Sequence, residues 1–182
     1  MRTDHHSLTG AASARLIDPE RLDTIDVLGP AIQFVTNPDE EGGGPCIMRG
    51  TVPPGVFIPL HRHADPETFI PLSGHLRAVM FHGDAFEWTD VRPGVIFHVP
   101  GDATHGFHND GTEPAVLIIA STTTIGRFFR EVGRPVGVGS PAAAAVPPSS
   151  ERVQRFLDIS ARYGYWNASP AENARVGIAL PS

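Results

Sequence analysis

The stretch "HRHADPETF", residues 61 to 69, holds His61, His63 and Glu67 within seven positions, and imidazole and carboxylate both ligate first-row metal ions. On a strand, residues two apart face the same way, so His61 and His63 can aim both rings at one point. Pro66 cannot donate to a strand ladder, so the chain can bend there and swing Glu67 back toward that point. Two imidazoles and one carboxylate form a facial set that leaves positions open on iron and similar ions. A structural zinc site more often uses thiolates, and Cys46 is the sole cysteine, without the spacing of a finger, a redox pair or a disulfide. On local chemistry alone the same residues also fit an exposed polar loop.

The surrounding glycines and prolines separate these readings. Gly55 and Gly74 frame the cluster as G-x5-H-x-H-x3-E-x6-G, and further on Gly94, Pro100, His105 and Asn109 give G-x5-P-x4-H-x3-N. The two patterns resemble the paired motifs of the cupin superfamily, separated by a short stretch as in its single-domain members. The likeness covers about residues 31 to 125, and the trailing "GRFFREVG" with its Pro-rich sequel resembles the end of quercetin dioxygenase-like single-domain cupins. It implies an all-β fold, a cupin-type β-barrel built as an antiparallel double-sheet jelly roll. It also implies that His61, His63, Glu67 and His105 converge on one divalent transition-metal ion: Fe, Mn, Ni, Co, Cu or Zn. One departure stands out. The family's second motif usually has Gly two residues after its Pro, whereas here Gly101 comes one residue early and Asp102 takes that place. Asp tolerates the left-handed turn conformation better than most residues, so the turn is expected to form.

The elements that must position these residues are legible as short runs. "CIMRGTV", "TFIPL", "LRAVMF", "AFEWTDV", "VIFHVP", "HGFHN" and "AVLIIAST" follow one another between turn residues, with "AIQFVT" before them. No gap is long enough for a helical crossover, which indicates antiparallel pairing. The expected organisation is an N-terminal extension over 1–30, the barrel over 31–125, and a helical extension over 126–182 with a Pro/Ala/Gly-rich linker at 135–150. "DPERL" starts a short helix with Asp18 as cap and Pro19 in the first turn, and "GRFFREVG" makes another. "SERVQRFLDISARYG" reads as an amphipathic helix capped by Ser150, ended by Gly164, and burying Val153, Phe156, Leu157 and Ser160. "SPAENARVG" repeats a Ser, Pro, Glu start signal.

If His105 points inward on its strand, Phe107 and Asn109 share its face, and Phe69 shares that of Glu67. Metal beside phenyl rings describes a pocket for a small organic substrate, aromatic or flavonol-like, with Phe69, Phe107 and Asn109 as substrate contacts. The expected activity is that of a dioxygenase in which Glu67 is catalytic, taking the substrate proton. A metal-dependent lyase, isomerase or cyclase, and a non-enzymatic binding module, are the alternatives. His98 reads as outward or hydrogen-bonded; His75, His82 and His108 as surface; Arg127, Arg130 and Arg134 as a solvated helix face. Trp88, Tyr163, Tyr165 and Trp166 read as core or docking aromatics, and the His5 and His6 pair as tail. With 14 Lys and Arg against 20 Asp and Glu, the net charge of -6 argues against nucleic acid. Neither a secretion signal nor an apolar run of membrane length is evident, so a cytoplasmic protein without a membrane partner is expected. A homodimer joined through "AIQFVT" and "CIMRGTV" is expected as well.

Overall fold

The computed structural model describes residues 14–39, 44–138 and 148–179; the His5 and His6 pair and most of the expected linker lie outside them. A 3-10 turn, Pro19–Arg21, follows the Asp18 cap as its sequence demands. Then come β1 (Asp23–Asp26), β2 (Ala31–Phe34), β3 (Cys46–Val52), β4 (Phe57–Arg62), β5 (Glu67–Ser73) and β6 (Leu76–His82). They are followed by β7 (Ala85–Val91), β8 (Phe97–Val99), β9 (His105–His108), β10 (Ala115–Ser121), α1 (Thr123–Val132) and β11 (Arg134–Val138). The chain closes with α2 (Ser150–Arg162), β12 (Trp166–Asn167) and α3 (Pro170–Arg175).

All pairings are antiparallel, in a seven-stranded sheet ordered β11-β1-β2-β3-β10-β5-β8 and a five-stranded sheet ordered β12-β4-β9-β6-β7. β3 and β10 bury every second residue, the mark of a strand with one face on a core. Met48, Leu76, Ala78, Phe107 and Leu117 interdigitate between the sheets, giving the expected all-β jelly roll.

Several elements differ from the sequence expectation. β1 and β11 pair with each other, so 135–138, expected as linker, is ladder instead. Pro135 and Gly137 tolerate this because β11 is an edge strand. α1 starts at Thr123 because Thr122 caps it, and α2 is capped by Ser149 rather than Ser150. α2 buries Ile159 and Ser160 and lays Phe156 against Phe128, whereas Val153 and Leu157 are exposed at the margins of that stripe. β2 and β3 lie inside the larger sheet, flanked on both sides, so neither offers an edge for a second copy. Arg127 and Arg130 are not a free solvated face: both bind the Asp39 carboxylate, tying α1 to the β2–β3 loop. No helix among the described residues is long and apolar enough to cross a membrane.

Candidate metal centre

Two backbone irregularities bring the ligands together. Ile58 pairs with Phe107 and His61 with His105, so β4 advances three residues while β9 advances two. This bulge places Ile58 and His61 on the same side and turns Leu60 away, so His61 enters the barrel. After β4, the 63–67 loop reverses the chain. The Asp102 N–H donates to the His63 carbonyl at 2.7 Å, and Asp102 sits at φ +64. The displaced Gly of the second motif has its own reason: a Cβ on Gly101 would come within 2.3 Å of the Ala64 carbonyl oxygen. The turn thus forms as expected, with Asp102 in the left-handed role and Gly101 giving close approach.

His61, His63, Glu67 and His105 each present one ligand atom, all within 4.8 Å of one another. His63, Glu67 and His105 are buried and His61 is half-buried. Glu67 Oε2 lies 3.3 Å from Nε2 of both His63 and His105. Each ring also contacts a backbone carbonyl two residues away through Nδ1: His61 to Pro59 and His63 to Asp65, both at 2.8 Å, and His105 to Ala103 at 2.9 Å. A carbonyl only accepts, so each Nδ1 carries a proton and each Nε2 is turned to the centre. That is the orientation a metal-binding imidazole needs, with the carbonyl holding ring and tautomer in place.

The electrostatics suit a cation. Burial, with help from His105, drives the His61 imidazole down to about 3, so its lone pair is free. Burial pushes Glu67 up, yet contacts from His105 and His63 hold its carboxyl down at about 2, leaving a buried anion. Burial also opposes the charged form of His63, but the Glu67 carboxylate beside it raises its proton affinity overall. A divalent ion would replace the protons that otherwise screen this carboxylate. Three nitrogens and one carboxylate oxygen therefore fit such an ion, and the donor set excludes none of Fe, Mn, Co, Ni, Cu or Zn.

The other expected residues divide. Phe107 packs its ring 5.9 Å from that of His105, and Phe69 lies behind it, 4.8 Å from Phe107, both buried in the core. Asn109 does not contact the cluster. Its Nδ2 donates to the carbonyls of Val52 and Glu113, and its Oδ1 accepts from Gly111 N–H. Fully buried, with both amide hydrogens engaged, it clamps the far end of β9. His98 faces outward to Thr68, as expected, while His108 is half-buried and stacks on Phe57 at 3.6 Å.

Sequence reading missed the support that the C-terminal segment gives. The Asp65 carboxylate accepts from the hydroxyls of Thr122 and Tyr165, while its carbonyl holds His63. The Tyr165 ring lies 5.0 Å from that of His63, and burial together with Asp65 lifts its phenol well above the ordinary range. β12 pairs with β4, the strand that carries His61. The only sequence signals were the aromatic run "YGYW" and a polar Asp beside the ligands, neither specific.

Residues 48–121 match the Cupin_2 family, described as a cupin domain. The match and the two-sheet antiparallel barrel agree with the resemblance that the paired motifs carry. Among solved structures, an uncharacterized conserved protein with a double-stranded beta-helix domain from Klebsiella pneumoniae is similar at 19% identity and a TM-score of 0.49. That likeness covers 61% of this chain and 91% of that one. An RmlC-like cupin from Shewanella frigidimarina is similar at 16% identity and a TM-score of 0.49, over 61% of this chain and 92% of that one. Oxalate decarboxylase from Bacillus subtilis is similar at 22% identity and a TM-score of 0.47; the match spans 55% of this chain but only 27% of the decarboxylase. No curated protein matches the chain.

Proposed function

We propose that the chain is a metal-dependent cupin enzyme acting on a small, oxygen-bearing organic molecule, and specifically a dioxygenase. The observation that carries the metal reading is the convergence of three Nε2 atoms and the Glu67 carboxylate, each ring held from behind by a carbonyl. A divalent ion held there supplies Lewis acidity and, for Fe, Mn, Co, Ni or Cu, one-electron chemistry. Glu67, the one carboxylate in the cluster, is assigned the proton of a substrate hydroxyl; in the metal-free cluster its two histidine neighbours hold its proton affinity low. The rings of Phe69 and Phe107, packed in the core on the inner side of the cluster, make its surroundings apolar, which suits a small organic substrate. The resemblance of "GRFFREVG" and its Pro-rich sequel to quercetin dioxygenase-like cupins is the ground for an aromatic or flavonol-like substrate.

The test combines elemental analysis of protein purified from its own host with turnover screening against catecholic and flavonol-like compounds, in air and without oxygen. Oxygen uptake that tracks metal content is expected. Full turnover under anaerobic conditions, or with redox-silent Zn alone, would replace the dioxygenase by a lyase, isomerase or cyclase. A homodimer is part of the proposal. With β2 and β3 interior, its support moves to exposed Ile70, Leu72 and Ile96 on β5 and just before β8. A monomer in light scattering at micromolar concentration would refute it.

A further inference from the structure

The position of β12 has a chemical meaning that the shared barrel does not account for. Asn167 stands opposite His61 and Trp166 opposite Arg62. Directly opposed residues in an antiparallel pair point to the same side. Two contacts say which side is which. The Arg62 guanidinium lies 5.3 Å from the Trp166 ring, on the face away from the ligands. Tyr165, one residue earlier and therefore on the other face, packs against His63. Asn167 shares the face of Tyr165, so His105, His61 and Asn167 form one row across β9, β4 and β12.

Its neighbours are engaged, and Asn167 is not. The Tyr165 hydroxyl is held by Asp65. Among the described residues the half-buried Asn167 carboxamide has no hydrogen-bond partner. His61 is also the one ligand that is not buried, so the approachable side of the cluster is the side on which Asn167 stands. Paired side chains begin about 5 Å apart at Cβ, so a small molecule bound to an ion on His61 is within reach of the carboxamide.

We propose that Asn167 orients the substrate: its amide N–H donates to one oxygen of a small molecule whose adjacent oxygen reaches the ion. The site then selects compounds with two neighbouring oxygens, such as catechols, enediols or 2-hydroxy acids. This rests on the metal reading given under the proposed function. Because β12 lies outside the matched residues 48–121, the selecting group comes from the C-terminal segment and not from the barrel.

The experiment uses the full chain loaded with Co(II), with 4-nitrocatechol as a chromophoric probe. Co(II) affinity is measured first without probe, for wild type, Asn167→Ala and Asn167→Asp, and probe affinity second from the absorption shift. Equal Co(II) affinity is expected for wild type and Asn167→Ala, and affinity no weaker for Asn167→Asp, whose carboxylate adds an anion near the cation. Probe binding should weaken by about 10-fold in Asn167→Ala, the size of one lost hydrogen bond to a charged group, and further in Asn167→Asp, where a carboxylate faces the anionic oxygen. Probe affinity unchanged in both variants would overturn the assignment, as would a parallel loss of Co(II) affinity, which would make Asn167 merely a support for β12. A loaded wild type that leaves the probe spectrum unchanged would overturn the selectivity for adjacent oxygens. A wild type that takes up no Co(II) would instead refute the metal reading itself, and the first titration alone reveals it.

Discussion

In the barrel, the buried polar side chains His63, Glu67 and His105 point at one another; in the C-terminal segment, the buried Asn173 points at backbone. Asn173 Oδ1 accepts from the Leu60 N–H at 2.8 Å, and its Nδ2 donates to the carbonyls of Ala168 and Ser169. β12 takes the next stretch of β4, and the Ala168 N–H donates to the Leu60 carbonyl. The barrel thus supplies the ligands but leaves β4, which carries His61, as an edge; the C-terminal segment supplies no ligand but covers that edge. Val176 and Ile178 then pack on Leu60 and Val79 outside the smaller sheet. The metal-binding cluster and its enclosure are thus divided between two stretches of chain, and each can be broken separately.

The largest effect belongs to the barrel. His105→Ala removes one of four ligands and should lower metal affinity by more than about 100-fold, beyond what loss of a supporting partner costs. The metal-free variant should still fold, with some loss of stability because the buried Glu67 carboxylate loses one of its two histidine partners. Metal titration alongside thermal melting checks this, and an unchanged stoichiometry with wild-type affinity would remove His105 from the centre.

The next effect belongs to the enclosure. Asn173→Ala leaves the Leu60 N–H buried without a partner and uncaps the approach to α3, which should cost about 3 kcal/mol in urea unfolding. Amide exchange at Leu60 should accelerate in step. A loss below about 0.5 kcal/mol, typical of an ordinary surface substitution, would mean that the segment merely rests on β4.

Asp65→Ala acts where the two regions meet, since one carboxylate receives Thr122 from the barrel and Tyr165 from the C-terminal segment. Leaving both hydroxyls unpaired should cost about 2 kcal/mol of stability, and a looser 63–67 loop should weaken metal binding by about 10-fold. If only stability falls and metal affinity holds, the loop is positioned by Asp102 and the His63 carbonyl alone.

The sequence was informative in proportion to how local the controlling physics is. His61, His63, Glu67 and His105 were readable because strand parity and a fixed Gly and Pro frame put them on one side. Strands β3 and β7 appear with the bounds of their apolar runs because alternation is a property of the run itself. β11 and β12 were not readable, since each is a strand only by virtue of a partner far away in the chain, β1 for one and β4 for the other. The partners of Asn109 were hidden for a similar reason. Parity put it on the correct face, but its hydrogen bonds run to Val52 and Glu113, which no spacing within the motif reveals. Tyr165 looked like a docking aromatic and does dock, against Phe128; that its hydroxyl reaches Asp65, a hundred residues earlier, is a tertiary fact.

The smallest effect tests the point where this sequence departs from the cupin pattern. Asp102 holds φ +64, a conformation that costs an L-residue roughly 1 kcal/mol and glycine nothing, so Asp102→Gly relieves strain in the folded chain. Glycine also gives the unfolded chain more freedom, which opposes the gain by a similar amount. What positions the ligand loop here is the residue's backbone N–H on the His63 carbonyl, and glycine keeps it. Asp102→Gly should therefore change stability by no more than about 0.5 kcal/mol and leave metal affinity within twofold. A clear loss of metal affinity would show that the Asp102 carboxylate itself, and not only its backbone, reaches toward the centre. The barrel would then hold a fifth polar group near its ion, and the division between a ligand-bearing barrel and an enclosing C-terminal segment would have to be redrawn around that turn.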